Sequence, residues 1–409
     1  MRGRDFLQRL WVLAATVFVD MLGLFIVLPL LPDYAERLGH EQATTVGALV
    51  SAFALAALVT APVWGRLSDR YGRRPMILGG LVLSAVAYVL FEHAATIWVL
   101  FLSRFFQGAG SGTTGVVQAY LSDSVDPEHR AQALGWITAA TSAGVMLGGA
   151  VGSLAKAVGV VPPGYLAAGL CGLNLLFAWR WLPEPVRDAE AGAAHPERST
   201  RKVFKDVLRH PTGSIGALVW IYAAGMMALM AMSGMLSLYL QRRFGVPATR
   251  VGWAYFYVGS LSMVMRALVL GPVVRRLGEV RTLRVGLGCM AVGLAVMPFA
   301  GTVWLFAVPV ALMPIGTAFL FPATTSLVAG RGGRGRTGTV LGVQQAIGGV
   351  ARLLGPLLAG LAFQYLGSGS PFWLASGLIA AALLFSSVVV EDARRPAAPL
   401  PAPLPPPVP

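Results

Sequence analysis

Asp20 is the only carboxylate well inside an apolar run of this chain. It stands about ten residues, or about 15 Å at 1.5 Å per residue, from either end of that run. A carboxyl group so placed can take up and release a proton; the alternative is a structural Asp bonded to nearby backbone. An unpaired charge there costs at least about 2.5–3.5 kcal/mol, so either role needs partners. Three arginines share its position. Arg104 lies about 10 Å from one end of its run, Arg266 roughly 7.5 Å from an end, and Arg352 near the middle, just before Gly355-Pro356. Arginine keeps its charge at physiological pH and therefore needs a carboxylate, carbonyls or a polar cavity. Arg104 reads as part of a proton site or as half of a static ion pair. Arg266 reads as a cavity residue or as a side chain snorkelling to the surface. Arg352 reads as a substrate contact or as a partner of carbonyls freed at a Pro356 kink. Gln107, Gln118 and Gln344 add polar groups to the same runs.

The elements that must carry these residues follow from composition. The chain has 409 residues, 56% hydrophobic and 12% charged, where a soluble chain carries roughly 25% charged residues. A spanning helix needs about 20 apolar residues. Twelve runs satisfy this, at about 10–32, 44–64, 74–93, 96–120, 131–155, 162–182, 212–241, 249–271, 282–300, 303–328, 338–363 and 370–390. The fold class expected is an all-α membrane protein of twelve transmembrane helices in two pseudo-symmetric six-helix bundles. The runs are long and continuous, which excludes a β-barrel of alternating strands. A soluble enzyme, a disordered chain and a nucleic-acid-binding domain are excluded by the same arithmetic. The net charge of +14 then belongs to one basic membrane face. Cys171 and Cys289 sit in separate apolar runs and read as small hydrophobes. No metal-binding spacing is present, and no cofactor is expected.

Twenty-four of the 32 Lys and Arg residues fall on the side of the N-terminus, five on the other side and three inside spans. This asymmetry puts both termini in the cytoplasm. The expected units are an N-terminal bundle (1–182), a cytoplasmic linker (183–211), a C-terminal bundle (212–390) and a tail (391–409). The linker begins Pro- and acid-rich. It ends in RKVFKDVLRH, with Val203, Phe204, Val207 and Leu208 on one face and basic residues on the other, as in a short interfacial helix. The tail ends in a stretch with eight prolines in fourteen residues, which suits neither helix nor sheet.

The halves repeat at an offset of 206–207 residues. GRLSDRYGRR (65–74) aligns with GPVVRRLGEV (271–280), and LGWITAATSAGVMLGG (134–149) with LGVQQAIGGVARLLGP (341–356). A parallel repeat of two six-span bundles is a transporter architecture, with the substrate site near the midplane between them.

These motifs also carry a family resemblance. GRLSDRYGRRP (65–75) resembles the signature loop of the major facilitator superfamily, and RFFQGAGSGTTG (104–115) its fourth-span motif. DMLGLFIVLPLLP (20–32) and DSVDPEHRAQALGW (123–136) resemble the drug:proton antiporters, particularly the tetracycline-efflux branch. The resemblance implies proton-coupled efflux by alternating access, driven by the proton gradient. It places Arg104 near Asp20 as the proton-coupling pair. It implies a cytoplasmic gate of Gly65, Asp69, Arg70, Gly72, Arg73 and Asp123. There Asp69 meets the N-terminus of the eleventh span, where the helix dipole favours an anion, and Arg73 pairs with Asp123. Arg74 reads as a solvated anchor. The chain departs from the family pattern in two ways. Gly148-Gly149 stands where the antiporter motif has Gly-Pro, and the third and ninth spans lack the acids of the tetracycline branch.

The substrate cavity candidates are Gln107, Met226, Met230, Tyr257, Arg266, Gln344 and Arg352. The methionines of the seventh span can line an adaptable surface or simply face lipid. Glu279, in a loop, is the only acid of 212–390, so the expected substrate is neutral, zwitterionic or anionic. The leading expectation is efflux of small amphiphilic drugs or metabolites. The rival is transport of a specific anionic metabolite by proton symport or facilitated flux. The expected setting is a bacterial inner membrane, with a monomer in the lipid bilayer, a small-molecule substrate and no nucleic acid. An enzyme would need a nucleophile–base pair or metal cluster in the spans, and only His93 beside Glu92 lies near one.

Overall fold

A computed structural model describes residues 3–124, 127–184, 197–331 and 337–389, with side chains from residue 10 onward except at 122, 127–132 and 197–202. The tail and the acidic part of the linker lie outside the described residues, as does the segment just before the eleventh span. Among the described residues, helices and short turns account for the fold, without a strand. Ten helices are long and apolar enough to cross a membrane. Two more complete the set of twelve. The fourth span is broken into Ile97–Gly110 and Thr113–Ser124, and the sixth is Pro163–Trp181.

The helices overrun the apolar stretches that predict them. The second runs Ala43–Tyr71 and the eighth reaches Leu277. Backbone hydrogen bonding does not stop where hydrocarbon stops; it stops where the chain must turn. Gly72 (φ 109°) and Gly278 (φ 80°) end these two helices at equivalent places in the repeat. Only glycine adopts such φ values cheaply. In the first span, Pro29 and Pro32 leave a 3₁₀ turn, Leu28–Leu30, before a last helical stretch, Leu31–Arg37.

Packing repeats as the sequence does. In the N-terminal half, the first span packs on the fifth and sixth, the second on the fourth, and the third on the fourth and sixth. In the C-terminal half, the seventh packs on the eleventh and twelfth, the eighth on the tenth, and the ninth on the tenth and twelfth. Each pair recurs six spans later. The halves meet along two seams, second span against eleventh and fifth against eighth.

Both seams are tight at one end of the molecule, the end away from the basic loops. Ser51 Oγ donates to the Leu353 carbonyl (2.7 Å), and the Ala43 amide donates to Gln364 (3.0 Å). The Gly252 amide donates to Ser153 Oγ (2.8 Å), and Ser237 donates to the Pro29 carbonyl. Gly47 and Gly360 abut the opposing backbone, as do Gly149 and Gly252. Eighteen residues are five helical turns, so Gly65 lies on the same face as Gly47, Gly342 as Gly360, and Gly135 as Ser153. At Gly65, Gly135 and Gly342 the space a side chain would occupy is empty. The same helix faces thus touch at the far end and stand apart at the basic end.

The linker helix, Glu197–Arg209, lies across the basic end of the C-terminal half. Val207 is buried with Val219, Tyr222, Val343 and Ile347, while Phe204 and Leu208 are exposed. Its apolar residues therefore divide: Val207 and, partly, Val203 dock on the bundle, while Phe204 and Leu208 face outward.

Candidate functional site

Asp20 is buried (8% exposed) on the first span. The face it shares with Gly23 is turned towards the third span. Tyr88 of the third span brings its hydroxyl against Gly23, where any larger residue would displace it. Arg104 is the largest fully buried side chain. Its Nη1 donates to Gln107 Oε1, one turn along the fourth span, and its guanidinium lies 5.1 Å from the Phe53 ring. Gln107 Nε2 donates to the Tyr88 hydroxyl at 2.7 Å. Asp20 Oδ2 and Arg104 Nε and Nη2 are buried without hydrogen-bond partners. Tyr88 interacts electrostatically with both Asp20 and Arg104, which form no ion pair with each other in this conformation. Buried polar atoms normally find partners, so this pocket holds donors and an acceptor not yet spent on one another.

Tyr88 is the residue that reading the sequence passed over, because a tyrosine in an apolar span looks like filler. Its signal is the Glu92 one turn further on. Glu92 accepts from Tyr34 Oη (3.0 Å) and from the Gly164 amide (2.9 Å). Asp33, beside them, pairs with Lys156 and with Arg37 (3.2 Å). These contacts tie the first, third, fifth and sixth spans together at the far end.

At the basic end, Arg73 bridges Asp69 (2.7 Å) and Asp123 (3.1 Å) and donates to Ser68 Oγ (2.5 Å). The turn at Gly72 aims the start of the third span at Glu184, whose carboxylate accepts from the amides of Arg73 (2.6 Å) and Arg74 (3.0 Å). Glu184 was not among the expected gate residues. An acid at a helix N-terminus is favoured by the free amides and the dipole. Arg70 is exposed and stacks on Tyr71 (5.3 Å). The chain immediately before Thr337, where Asp69 was expected to dock, lies outside the described residues.

In the C-terminal half, Gly252, Gly259 and Arg266 recur every seven residues and share a face. Gly252 and Gly259 touch the fifth span at Gly149 and Met146. Arg266 follows in that register on a π-helical turn, Met265–Val269, with its Nε buried and unpartnered. π-Turns inside helices mark functional positions more often than chance. Arg352 lies beside Gly349, which abuts Leu58 of the second span. It is half-buried, and its guanidinium reaches back to the Gln345 carbonyl (3.5 Å). Arg352 thus stands beside the seam of the second and eleventh spans. Tyr222 donates to Gln345 (3.4 Å). Gln344 is fully buried, with both amide atoms unpartnered. Met226 packs in the cluster under the linker helix, and Met230 against Gly355. Tyr257 turns from the fifth span to bond the Ala307 carbonyl of the tenth (3.3 Å).

Comparison with known proteins agrees with this architecture. The family model described as Major Facilitator Superfamily matches residues 13–351 and 262–408. The tetracycline resistance protein, class G, of Vibrio anguillarum is 29% identical over 346 residues, 83% of this chain and 86% of that protein. Multidrug resistance protein 2 of Bacillus subtilis (strain 168) is 27% identical over 364 residues, 86% of this chain and 88% of its own. Among solved structures, the human organic anion transporter MFSD10 (TETRAN) superposes with a TM-score of 0.70 at 23% identity, over 93% of this chain and 99% of that one. A bacterial homolog of the human lysosomal transporter Spinster, in an inward-facing and occupied conformation, gives a TM-score of 0.74 at 14% identity, over 94% and 96%. A twelve-span repeat, two seams between its halves and a match along nearly the whole length lead to one conclusion: this chain is a multi-pass membrane transport protein belonging to the Major Facilitator Superfamily.

Proposed function

We propose that the protein exports small amphiphilic molecules, neutral, zwitterionic or anionic, in exchange for protons. It works by alternating access in a bacterial inner membrane, as a monomer with both termini in the cytoplasm. The observation that carries this reading is the pocket around Asp20. A carboxyl group sits mid-membrane near a phenol that is itself linked through Gln107 to a buried guanidinium, and its Oδ2 is unpartnered in this state. An ionised, partnerless carboxylate would be costly there, so this conformation suits the protonated acid. Ionisation would draw the unspent donors together. Proton occupancy and helix arrangement are then linked, which coupling requires.

The two seams supply the moving part. The far end is closed, and the basic end, cytoplasmic by its charge, is open. Gly65, Gly135 and Gly342 repeat at the open end the small-residue faces that touch at the closed end. The alternate state closes these and parts the others. The Arg73–Asp69–Asp123 cluster holds the end of the second span ready for that closure. Arg266 and Arg352 offer two unspent positive charges to a substrate in the gap, which favours anionic or zwitterionic groups over monocations. The relatives named for tetracycline and multidrug resistance support efflux, and the solved organic anion transporter fits the charge.

Accumulation of a panel of dyes and antibiotics in efflux-deficient cells tests the proposal. Wild type is expected to lower accumulation of some compounds, and Asp20→Asn, equally expressed, to lower none. A wild type indistinguishable from empty vector across the panel would remove the drug-export reading.

A further inference from the structure

We infer that Tyr88 is a positioning residue of the proton-coupling site, delivering the polarity of Arg104 to the Asp20 carboxylate through Gln107. The inference rests on the reading of Asp20 as the proton carrier.

The direction of each hydrogen bond in this chain is forced. A guanidinium has donors and no acceptor. The Gln107 atom facing Arg104 is therefore the amide oxygen. Its other end must be the amide nitrogen, which can only donate, and it donates to the Tyr88 oxygen at 2.7 Å. Tyr88 thus receives a hydrogen bond and keeps its own hydrogen for a further acceptor. The hydroxyl is pressed onto Gly23, less than one turn from Asp20 on the same helix. Asp20 Oδ2 is a buried acceptor without a partner. Hydrogen bonds in such a chain polarise one another. The terminal hydroxyl is thus a stronger donor than an isolated phenol.

The chain solves a problem of state. A direct Asp20–Arg104 ion pair would hold the carboxylate ionised and resist protonation. A relayed hydrogen bond stabilises the carboxylate less and can be released by a small rotation. When Asp20 takes its proton, the carboxylate becomes a neutral acid and Tyr88 is released. When the proton leaves, Tyr88 donates to the carboxylate. Tyr88 and Gln107 keep their own protons throughout.

The groups facing Asp20 from its neighbours are few. The third span presents Tyr88, with Glu92 one turn beyond. Arg104 and Gln107 of the fourth lie behind Tyr88, and the sixth presents Cys171, which is fully buried. The fifth packs on the first through Gly144 and Gly148, which carry no titratable group.

Tyr88→Phe removes the terminal donor and keeps the ring. The pH at which proton-driven transport in proteoliposomes is half-maximal is expected to move alkaline by about one unit, a tenfold change in proton affinity. Difference infrared spectra should show the carboxyl band that Asp20→Asn abolishes, titrating about one unit higher in Tyr88→Phe. Gln107→Leu, which cuts the chain one link earlier, should move both readouts the same way by less. A purely structural tyrosine would lower thermal stability and leave the pH midpoint and band unmoved; that result would overturn the inference. If Asp20→Asn retains proton-driven transport and no band is lost, the underlying reading fails instead.

Discussion

The two halves share one packing plan and divide the chemistry. In the N-terminal half, polar residues face each other inside the bundle: Asp20, Tyr88, Arg104 and Gln107 at midspan, and Asp33, Tyr34, Glu92 and Lys156 at the far end. In the C-terminal half the core is apolar and aromatic, with Tyr239, Phe244, Phe306 and Phe372 stacked together. Its two span arginines, Arg266 and Arg352, lie on the spans that form the seams instead. The same fold therefore hides charge in one half and presents it from the other. A buried network can change protonation without touching substrate, and a presented arginine can bind substrate without titrating. The difference teaches that coupling and recognition need not share residues, even when both depend on the same two seams.

This division can be broken by mutation. The largest effect is expected from Arg104→Gln, which leaves Gln107 Oε1 without its donor and Asp20 without a cation. Proton-driven transport should fall roughly 100-fold, equivalent to about 2.7 kcal/mol, while substrate binding in detergent holds. Loss of binding instead would place Arg104 in the substrate site and end the division. Arg352→Gln is next. It should raise the half-saturating concentration of an anionic substrate about tenfold, within the range for a hydrogen bond to a charged group, and leave the pH profile in place. A moved pH profile would show recognition and coupling entangled. Gly252→Ala sets a methyl against the Gly149 carbonyl at the closed seam. Overpacking costs about 1–3 kcal/mol, so single cysteines at the far end should react several-fold faster with a membrane-impermeant thiol reagent. Gly342→Ala, at the open seam, should shift accessibility the opposite way. Arg73→Gln should do least, since both carboxylates that the largely buried Arg73 bridges are open to solvent and pairs with solvated partners contribute about 0–1 kcal/mol. A two- to three-fold change in transport rate is expected.

The helices were legible because a membrane span is written in length and hydropathy, and twelve runs are hard to miss. Their ends were not, because Gly72 and Gly278 stop the helices several residues beyond the apolar stretch. Asp20 and Arg104 were legible as charges that had to find partners. That Tyr88 stands between them was not: it is separated from Asp20 by two helices' length of chain, and no spacing rule connects them. Arg266 shows the reverse. Its intervals of seven from Gly259 and fourteen from Gly252 put it in line with the seam glycines, a pattern present in the sequence that nearness to the helix end obscured. Gln344 was expected to face the cavity; it is fully buried with its amide atoms unpartnered, and a glutamine's type does not reveal which side of a helix is covered.

The central claim is that Asp20 carries the proton for transport. Purified protein in sealed proteoliposomes, given an outward substrate gradient and no pH gradient, should move protons against the substrate flow, as read by a trapped pH dye. Asp20→Asn should let substrate run down its gradient with no dye response. Proton movement that persists in Asp20→Asn, or wild-type substrate flux without any proton movement, would contradict the account.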